Sequence, residues 1–297
     1  MPFGYHDLPS IWKNHVAQGL LDDGVPWDFT TALIPKTSAT ARARVIAKAD
    51  GVFSALGLAH AVMLTAAENG WNLKIENQFE SAGPVRSGQV VSVWSGDRQA
   101  IVTLERVYLN LASFVSGIST QTASLVQIVN SVGLGDLTPR ITCTRKLLPY
   151  FQNLSILGVV AGGGYPHRVG LSGGILIKEN HIKLAGGVEK ILNFAKKSAP
   201  HPLRLEIEVQ NLNEVEQALT SGAEILLLDN FKPEEVRRAL EVILSYREKT
   251  KSRISVEVSG GIQASNIRDY VVPGVDVISV GSLTHSVKGL DLSLLVD

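Results

Sequence analysis

The sequence predicts an α/β fold, in which a mixed α and β region precedes a closed or nearly closed barrel of alternating strands and helices. Two observations support this: mixed helical and extended patterns up to about residue 132, and a repeated strand–helix rhythm from residue 140 onward. The 297 residues suffice for one large domain or two smaller ones. With 45% apolar and 19% charged residues, the composition is that of a globular protein able to bury a full core.

The first third of the chain contains both helical and extended patterns. Apolar spacing predicts helices over residues 8–21, 58–69 and 105–132, and period-two alternation predicts strands over residues 41–49, 89–95 and 99–104. In the first strand, Ala43, Val45 and Ala47 share the predicted buried face. The long third helix has an apolar stripe formed by Leu109, Leu111, Ala112, Val115 and Ile118.

From residue 140 onward, short apolar runs alternate with amphipathic segments. The runs cover residues 140–143, 156–160, 175–177, 205–209, 225–228, 254–258 and 277–280, and the later helices cover 188–197, 212–221 and 233–247. Nearly continuous apolar runs are typical of parallel strands that are buried on both faces. Six or seven such units predict a barrel, whose chemistry is expected at the carboxyl ends of the strands.

Basic residues gather at these predicted strand ends. They are Arg145, Lys146, His167, Arg168 and Lys178. Since 28 Lys and Arg balance 28 Asp and Glu, this concentration is local, and the chain has no overall attraction for nucleic acid or an anionic membrane. Clustered cations are costly unless an anion compensates them, so the pattern indicates a substrate with carboxylates and phosphates.

Glycine turns follow the last two predicted strands. Ser259, Gly260 and Gly261 end one of them, and Gly281 ends the other. Glycines there let backbone N–H groups approach a phosphate, which is the usual phosphate position in barrel enzymes.

Two carboxylates, Glu208 and Asp229, end neighbouring strands. They could hold Mg²⁺ or stabilise an oxocarbenium centre, and the alternative is that they are salt-bridge partners of the nearby Lys and Arg. The role of Glu206, two residues before Glu208, is less clear from the pattern.

The single cysteine, Cys143, excludes an intramolecular disulfide and favours a reducing compartment. The basic run that follows it could lower its pKa, but burial is the commonest fate of a free cysteine, and we predict a structural role. Residues 1–14 contain no apolar signal-peptide region, and no stretch reaches the ~20 apolar residues of a membrane span. These features predict a cytoplasmic protein.

No serine, zinc or P-loop motif of known spacing competes with the anion site. Two other functional classes stay open. Lys178 could form a Schiff base, as in barrel aldolases. The chain could also be a non-catalytic binding protein that has kept the pocket.

Several motifs in order resemble the quinolinate phosphoribosyltransferase family (nicotinate-nucleotide pyrophosphorylase, decarboxylating), from about Asp23 to near the C-terminus. These motifs are ERVYLN at 105–110, SGIST at 116–120, TRK at 144–146, GGG at 162–164 with His167 and Arg168, IKENH at 177–181, EIEV at 206–209, LDN at 228–230, EVSGGI at 257–262 and SVGSLTHS at 279–286.

The resemblance implies an N-terminal α+β sandwich domain over residues 1–114, which the C-terminal segment 283–297 joins, and an incomplete TIM-like α/β barrel over residues 115–282. It also implies a homodimer in which Arg106 is donated to the partner's site. The implied reaction joins quinolinate to phosphoribosyl pyrophosphate and gives nicotinate mononucleotide, pyrophosphate and CO₂ in NAD biosynthesis.

Site roles follow from the same resemblance. Arg106, Arg145, His167 and Arg168 match quinolinate binders. Lys146, Lys178, Glu208 and Asp229 match catalytic groups around the phosphoribosyl pyrophosphate, with Glu208 and Asp229 holding its Mg²⁺. Ser259, Gly260, Gly261 and Gly281 match the cradle of the 5′-phosphate.

The chain departs from the family pattern after the TRK motif. Leu147 stands where the family often has Thr, and Tyr150 replaces a flexible glycine. These changes concern acceptor specificity, so a same-fold homologue of the molybdenum-transport-associated type, acting on another acceptor, stays the nearest alternative.

Overall fold

The computed structural model describes residues 9–35 and 37–297, so Leu8, the predicted first residue of the first helix, lies outside the described residues. The helices are α1 Pro9–Asp22, α2 Leu56–Glu68, α3 Arg98–Asn130, α4 Gln152–Ala161, α5 Glu179–Ala185, α6 Val188–Ser198, α7 Leu212–Thr220, α8 Pro233–Thr250 and α9 Ser282–His285. The strands are β1 Thr40–Ala47, β2 Gly51–Phe53, β3 Leu73–Asn77, β4 Gly83–Val85, β5 Val90–Asp97, β6 Arg140–Thr142, β7 Ile175–Ile177, β8 Leu205–Val209, β9 Ile225–Asp229, β10 Ser255–Ser259, β11 Val277–Ser279 and β12 Leu292–Val296.

The chain divides into two compact units. The first contains the described residues up to Ala123 together with Leu147–Gly163 and Ser286–Asp297, and the second contains Ser124–Lys146 and Gly164–His285. This differs from the predicted division, which placed residues 115–123 and 147–163 in the barrel and residues 283–285 in the first domain. The segment 147–163 belongs to the first unit because Leu154 and Leu157 of α4 are buried in that unit's core.

The first unit is built on an antiparallel four-stranded sheet with the order β12-β1-β5-β3. The alternation predicted for β1 is confirmed, because Ala43, Val45 and Ala47 are fully buried, whereas Arg42 and Arg44 are exposed. β12 pairs with β1 from Ala43 to Ala47, so the C-terminal segment completes this sheet.

The long helix α3 supplies much of the first unit's core. Its predicted apolar stripe is confirmed, since all five of the residues named for it are buried. By length and composition α3 would be able to cross a membrane, but 67% of its most apolar window is buried inside the protein. That burial is typical of the core helix of a globular protein.

Two predicted strands are wrong, and both segments are helical. Residues 99–104 form the first turns of α3, and residues 156–160 lie in α4. Ala100, Ile101 and Leu104 are buried at helical spacing, while every residue of α4 from Leu154 to Val160 is buried. A short run that is apolar on all sides has no periodicity to distinguish a buried helix from a buried strand.

The second unit contains a parallel six-stranded sheet with the order β6-β11-β10-β9-β8-β7. The other six predicted apolar runs form these strands, and no strand end differs from the prediction by more than one residue. Thr142, the last residue of β6, makes an isolated parallel bridge to Tyr165. No ladder joins β7 to β6 among the described residues, so the barrel is incomplete, as predicted.

Candidate active site

A cavity of about 310 Å³ opens at the carboxyl ends of the strands of the second unit. Eight of the predicted site residues line it: Arg145, Lys146, His167, Arg168, Lys178, Glu208, Asp229 and Ser259. The parallel barrel brings them together because the carboxyl ends of parallel strands meet at one edge. The cavity wall is completed by Thr144, Leu176, Leu227, Glu257 and Ser279.

The exposed cations Arg145 and Lys146 follow β6, in a short segment that is held by hydrogen bonds. The N–H of Lys146 donates to the Thr144 hydroxyl at 3.2 Å, and its carbonyl accepts from the Thr284 hydroxyl at 2.8 Å. The segment therefore holds its two basic side chains at the mouth of the cavity.

Lys178 follows β7, and its backbone N–H donates to His181 Nδ1 at 2.9 Å. Its Nζ lies 3.3 Å from an oxygen of Glu208, which extends from β8. The side chain of Lys178 is thus held by an ion pair with Glu208.

Asp229, at the end of β9, is half-buried. Burial raises the pKa of its carboxyl, and the charges of Lys178 and Lys146 and a hydrogen bond from Asn230 oppose that rise. The side-chain N–H of Asn230 donates to Asp229 at 2.7 Å. Since Glu208 and Leu227 are paired in the β8–β9 register, both carboxylates lie near the same strand ends.

His167 faces two buried carboxylates inside the barrel. Its Nε2 lies 3.7 Å from Glu206 and 3.5 Å from Glu257. Burial lowers the pKa of His167, but the hydrogen bonds and charges of the two carboxylates outweigh it and raise the pKa to about 10. On the other side of the ring, the N–H of Arg168 donates to Nδ1 at 2.8 Å, which favours the neutral ring. Both influences place a proton on Nε2.

By distance alone, His167, Glu206 and Glu257 could hold a metal ion, since their candidate ligand atoms lie within 4.8 Å of one another. A metal needs the lone pair of the coordinating nitrogen. Because Nδ1 already accepts a hydrogen bond, Nε2 carries the proton and has no lone pair to offer. The chemistry of the ring therefore does not fit a metal.

Arg168 has unused donor capacity. One terminal guanidinium nitrogen donates to the carbonyl of Gly174 at 3.1 Å. Its Nε is buried and has no hydrogen-bond partner among the described residues. Burial lowers the pKa of the guanidinium, and the positive charge of Arg145 lowers it further. An anion in the cavity would accept a hydrogen bond from Arg168 Nε and reduce the repulsion between Arg168 and Arg145.

The turn after β10 requires glycine. Gly260 has φ +94, and a Cβ there would lie 2.2 Å from the side-chain oxygen of Asn230 and 2.8 Å from its backbone nitrogen. Asn230 is itself left-handed, with φ 59, and its N–H donates to the carbonyl of Ser259 at 2.8 Å. Gly261 has φ +63 and open space around its Cβ position. Glycine is favoured there by the left-handed backbone conformation and not by a steric contact.

Four predicted site residues do not line this cavity. Gly260 and Gly261 follow the lining residue Ser259, and Gly281 lies where a Cβ would meet the ring of His285 at 3.2 Å. Arg106 is exposed on α3 in the first unit.

Neither of the two departures from the family pattern lines the cavity of the second unit. Leu147 is half-buried. Tyr150 is 92% exposed, with φ 67, and borders a separate cavity within the first unit. Their positions do not alter the lining just described.

Sequence reasoning left the role of Glu206 open and did not single out the carboxylate of Glu257. The period-two alternation of a strand places Glu206 on the same face as Glu208, and Glu257 on the same face as Ser259. The alternation was visible in the sequence, but each glutamate lies two residues before the strand-end residue where functional groups were sought.

The thiol of Cys143 is buried, as predicted, and burial raises its pKa. The predicted alternative of a basic run that activates this thiol is therefore not favoured.

Fold and site together define a class: an α/β-barrel enzyme that binds an anionic substrate among clustered cations and two carboxylates at the strand ends. Family comparison makes this specific. The chain matches the description "Quinolinate phosphoribosyl transferase, N-terminal domain" over residues 28–116 and "Quinolinate phosphoribosyl transferase, C-terminal domain" over residues 118–295.

Individual relatives agree with the family match. A probable nicotinate-nucleotide pyrophosphorylase (carboxylating) of Methanocaldococcus jannaschii is 44% identical over 201 residues, which is 68% of this chain and 70% of the relative. The solved nicotinate-nucleotide pyrophosphorylase of Francisella tularensis has a TM-score of 0.86 at 31% identity and covers 97% of each chain. NadC from Streptococcus pyogenes has a TM-score of 0.85 at 32% identity, over 97% of this chain and 96% of its own. The chain belongs to the quinolinate phosphoribosyltransferase family.

Proposed function

We propose that this chain transfers the phosphoribosyl group of phosphoribosyl pyrophosphate to quinolinate, releasing pyrophosphate and CO₂ and giving nicotinate mononucleotide for NAD biosynthesis. The name carried by the relatives describes the same reaction in the opposite direction, in which nicotinate mononucleotide is carboxylated. The observation that carries the proposal is the cavity of about 310 Å³ at the strand ends, which is lined by five basic side chains and by the carboxylates of Glu208, Asp229 and Glu257.

The basic side chains suit an acceptor with two adjacent carboxylates. Arg168 has a buried Nε without a partner among the described residues, and Arg145 is exposed at the same cavity. A guanidinium binds a planar carboxylate through two parallel hydrogen bonds. Quinolinate would therefore place its carboxylates against Arg145 and Arg168, which relieves the repulsion between these two cations.

The carboxylates suit the donor. In the transfer step the pyridine nitrogen attacks C1 of the ribose while the bond to pyrophosphate breaks, so positive charge develops on the ribose ring. Glu208 and Asp229 stabilise that charge electrostatically. Lys146 and Lys178 balance the negative charge of the pyrophosphate that leaves.

The donor set also fits Mg²⁺, which proteins bind through one or two carboxylates plus phosphate oxygens. Glu208 and Asp229 supply two carboxylates from neighbouring strands. When bound, Mg²⁺ would neutralise charge on the pyrophosphate. Burial raises the pKa of Asp229, and a cation there would compensate the buried charge.

The backbone of Ser259, Gly260 and Gly261, together with Gly281, would receive the 5′-phosphate of the ribose. Gly260 and Gly261 contribute by having no side chain and by adopting left-handed backbone conformations. Gly260, for example, cannot carry a Cβ without a clash with Asn230. In this arrangement the protein mainly positions and neutralises its substrates, which can supply a large part of the rate enhancement.

Loss of CO₂ follows the transfer. Once the ring nitrogen is bonded to C1 of the ribose it is positively charged, and the electron pair of the breaking bond between C2 and the carboxylate stays at the adjacent C2. A proton then takes the place of CO₂. Quinolinate would lose its 2-carboxylate by this route, whereas nicotinate has none to lose.

The assembly is proposed to be a homodimer in which Arg106 of each subunit reaches the other's substrate. Arg106 is exposed on α3 and is thus free of burial within its own unit. We also place the enzyme in the cytoplasm, in agreement with its one free, buried cysteine, and expect no nucleic-acid or membrane partner for a chain of zero net charge.

The test is incubation with phosphoribosyl pyrophosphate, Mg²⁺ and quinolinate labelled with ¹³C in its 2-carboxylate, with nicotinate in a parallel reaction. Mass measurement should show nicotinate mononucleotide and ¹³CO₂ from quinolinate, and no mononucleotide from nicotinate. The Glu224→Gln variant, changed at the opposite ends of the strands, should behave like the wild type. Product from nicotinate, or none from quinolinate, would contradict the proposal.

A further inference from the structure

Two buried glutamates, Glu206 and Glu257, contact His167, and the reaction proposed above gives them no part. We propose that Glu206 and Glu257 are positioning residues of the acceptor site, which fix the ring of His167 and, through it, the direction of Arg168. The inference rests on the proposed function, because it assigns the result of this positioning to quinolinate.

The two carboxylates reach one nitrogen from different strands. Glu206 comes from β8 and Glu257 from β10, and between them β9 contributes the buried Leu227. Their oxygens lie 3.7 and 3.5 Å from Nε2 of His167. The side chains of Glu206, Glu257 and His167 are only 8%, 5% and 13% exposed, so water does not compete strongly for these contacts.

This arrangement is costly for the fold alone. The second oxygen of each glutamate, Oε1, is buried without a hydrogen-bond partner among the described residues. Buried, incompletely paired carboxylates destabilise a protein, and well-packed apolar residues would serve the core better. In β9, which lies between β8 and β10, the residue paired with Glu257 is the buried, apolar Leu227. A function other than packing is therefore the better explanation for both glutamates.

The ring connects the glutamates to the substrate site. Nδ1 of His167 accepts from the backbone N–H of Arg168 at 2.8 Å, so the ring plane and the start of Arg168 are linked. The guanidinium is held at its other end by the Gly174 carbonyl. With both ring nitrogens engaged by the protein, His167 acts on the acceptor mainly by setting the position of Arg168, which carries the unpaired donor.

The experiment compares Glu257→Gln, Glu257→Ala and Glu206→Gln with the wild type. A glutamine keeps an oxygen that can accept from Nε2–H, whereas alanine removes it. We expect the KM for quinolinate to rise about tenfold or more in the alanine variant and less in the glutamine variants, in the range of a lost charged hydrogen bond. The KM for phosphoribosyl pyrophosphate should stay within about twofold, because the contacts of both glutamates run to His167 and not to the donor groups that lie further along the same strands.

A second readout needs no substrate. Ring ¹⁵N signals of His167, assigned by comparison with His167→Asn, should shift in Glu257→Gln and Glu206→Gln. They should not shift in the matched control Glu224→Gln, where the replaced carboxylate accepts from the N–H of Leu205 outside the cavity.

A role in folding alone would lower the melting temperature and raise both KM values together, and that result would overturn the proposal. Unchanged ring signals in both glutamine variants would also overturn it. If the wild type does not use quinolinate, the proposed function fails, and with it the assignment to the acceptor. The ring signals would still show separately whether the glutamates hold His167.

Discussion

At the scale of single residues, the site depends on charges whose partners are incomplete. The buried Nε of Arg168 has no partner among the described residues, and each of two buried glutamates has one unpaired oxygen. A protein optimised only for stability would pair or replace these groups. They are explained if the substrate, or the positioning of a substrate-binding side chain, supplies the compensation.

Substitution of Asp229 would measure how much stability the protein loses by keeping a buried carboxylate in the active site. Because burial raises the pKa of its carboxyl, the ionised side chain destabilises the fold at neutral pH. Asp229→Asn should therefore raise the melting temperature, while kcat falls by about 10²-fold or more, as when an electrostatic group of an active site is removed. Scanning calorimetry and the product assay would check both, and a lower melting temperature would contradict the reasoning.

His15 provides a pH-dependent prediction in the first unit. Its ring lies 5.1 Å from that of Phe151, and burial lowers its pKa below 6.5. A histidine with a lowered pKa contributes stability above the unfolded-state pKa, and this contribution is lost as the pH falls through the folded-state pKa. The stability of His15→Gln relative to the wild type should therefore increase between pH 8 and pH 5.5.

Thermal unfolding at several pH values would measure this difference. The variant His60→Gln, at an exposed histidine on α2, is the comparison at a position without burial. An equal trend in both variants would exclude burial of His15 as the cause.

At the scale of elements, strand ends carry chemistry only where the loops after them are shaped for it. The β10 loop illustrates this, because Asn230 from the neighbouring β9 loop occupies the space next to Gly260. The two loops fit together only when residue 260 has no side chain. The glycine requirement could be predicted from the sequence, but its partner could not.

Gly260→Ala should weaken binding of phosphoribosyl pyrophosphate and destabilise the second unit by about 1–3 kcal/mol, the range of local backbone strain. The reason is φ +94 combined with a Cβ position 2.2 Å from the oxygen of Asn230. Gly261→Ala is the matched control: its φ is +63 and its Cβ position is open, so only conformational strain is expected. The KM for phosphoribosyl pyrophosphate would measure the loss of binding in Gly260→Ala, urea unfolding would separate the stabilities of the two variants, and equal destabilisation would contradict the role of the contact.

Elements were also where prediction from sequence failed. The strands of the barrel were found because their apolar runs are short and bounded, but α4 presents the same apolar run and is a helix. The start of α3 was misread for a similar reason, since a six-residue segment fits both periods. Burial on all sides removes the alternation on which the distinction depends.

At the scale of the whole molecule, the chain returns twice to its first unit, with Leu147–Gly163 and with Ser286–Asp297. The last segment adds β12 to the sheet, where Leu292 and Leu294 are buried. The resemblance implied the return of the C-terminal segment, whereas the return of residues 147–163 was not predicted.

The proposed donation of Arg106 between subunits is tested with mixed dimers. Arg106→Ala and Lys178→Ala should each be nearly inactive alone, since each removes one part of every site. In a mixed dimer one site would lack both residues and the other would be intact, so activity should approach half of that of the wild type. Co-expression with two different tags isolates the mixed species, and absence of recovered activity would contradict donation across the interface.

The sequence by itself determined the alternation of strands and helices in the barrel, the cations and carboxylates at the strand ends, and the family. These could be predicted because strand period and motif order are local properties of the chain. Only the tertiary structure decided that α4 is a helix of the first unit, that Glu206 and Glu257 meet at His167, and that Asn230 excludes a side chain at Gly260. The contacts of His167 with Glu206 and Glu257 join residues 39 and 90 positions apart, and that of Asn230 with Gly260 joins residues 30 positions apart. Their distances depend on the curvature of the sheet and on packing, which no local pattern encodes.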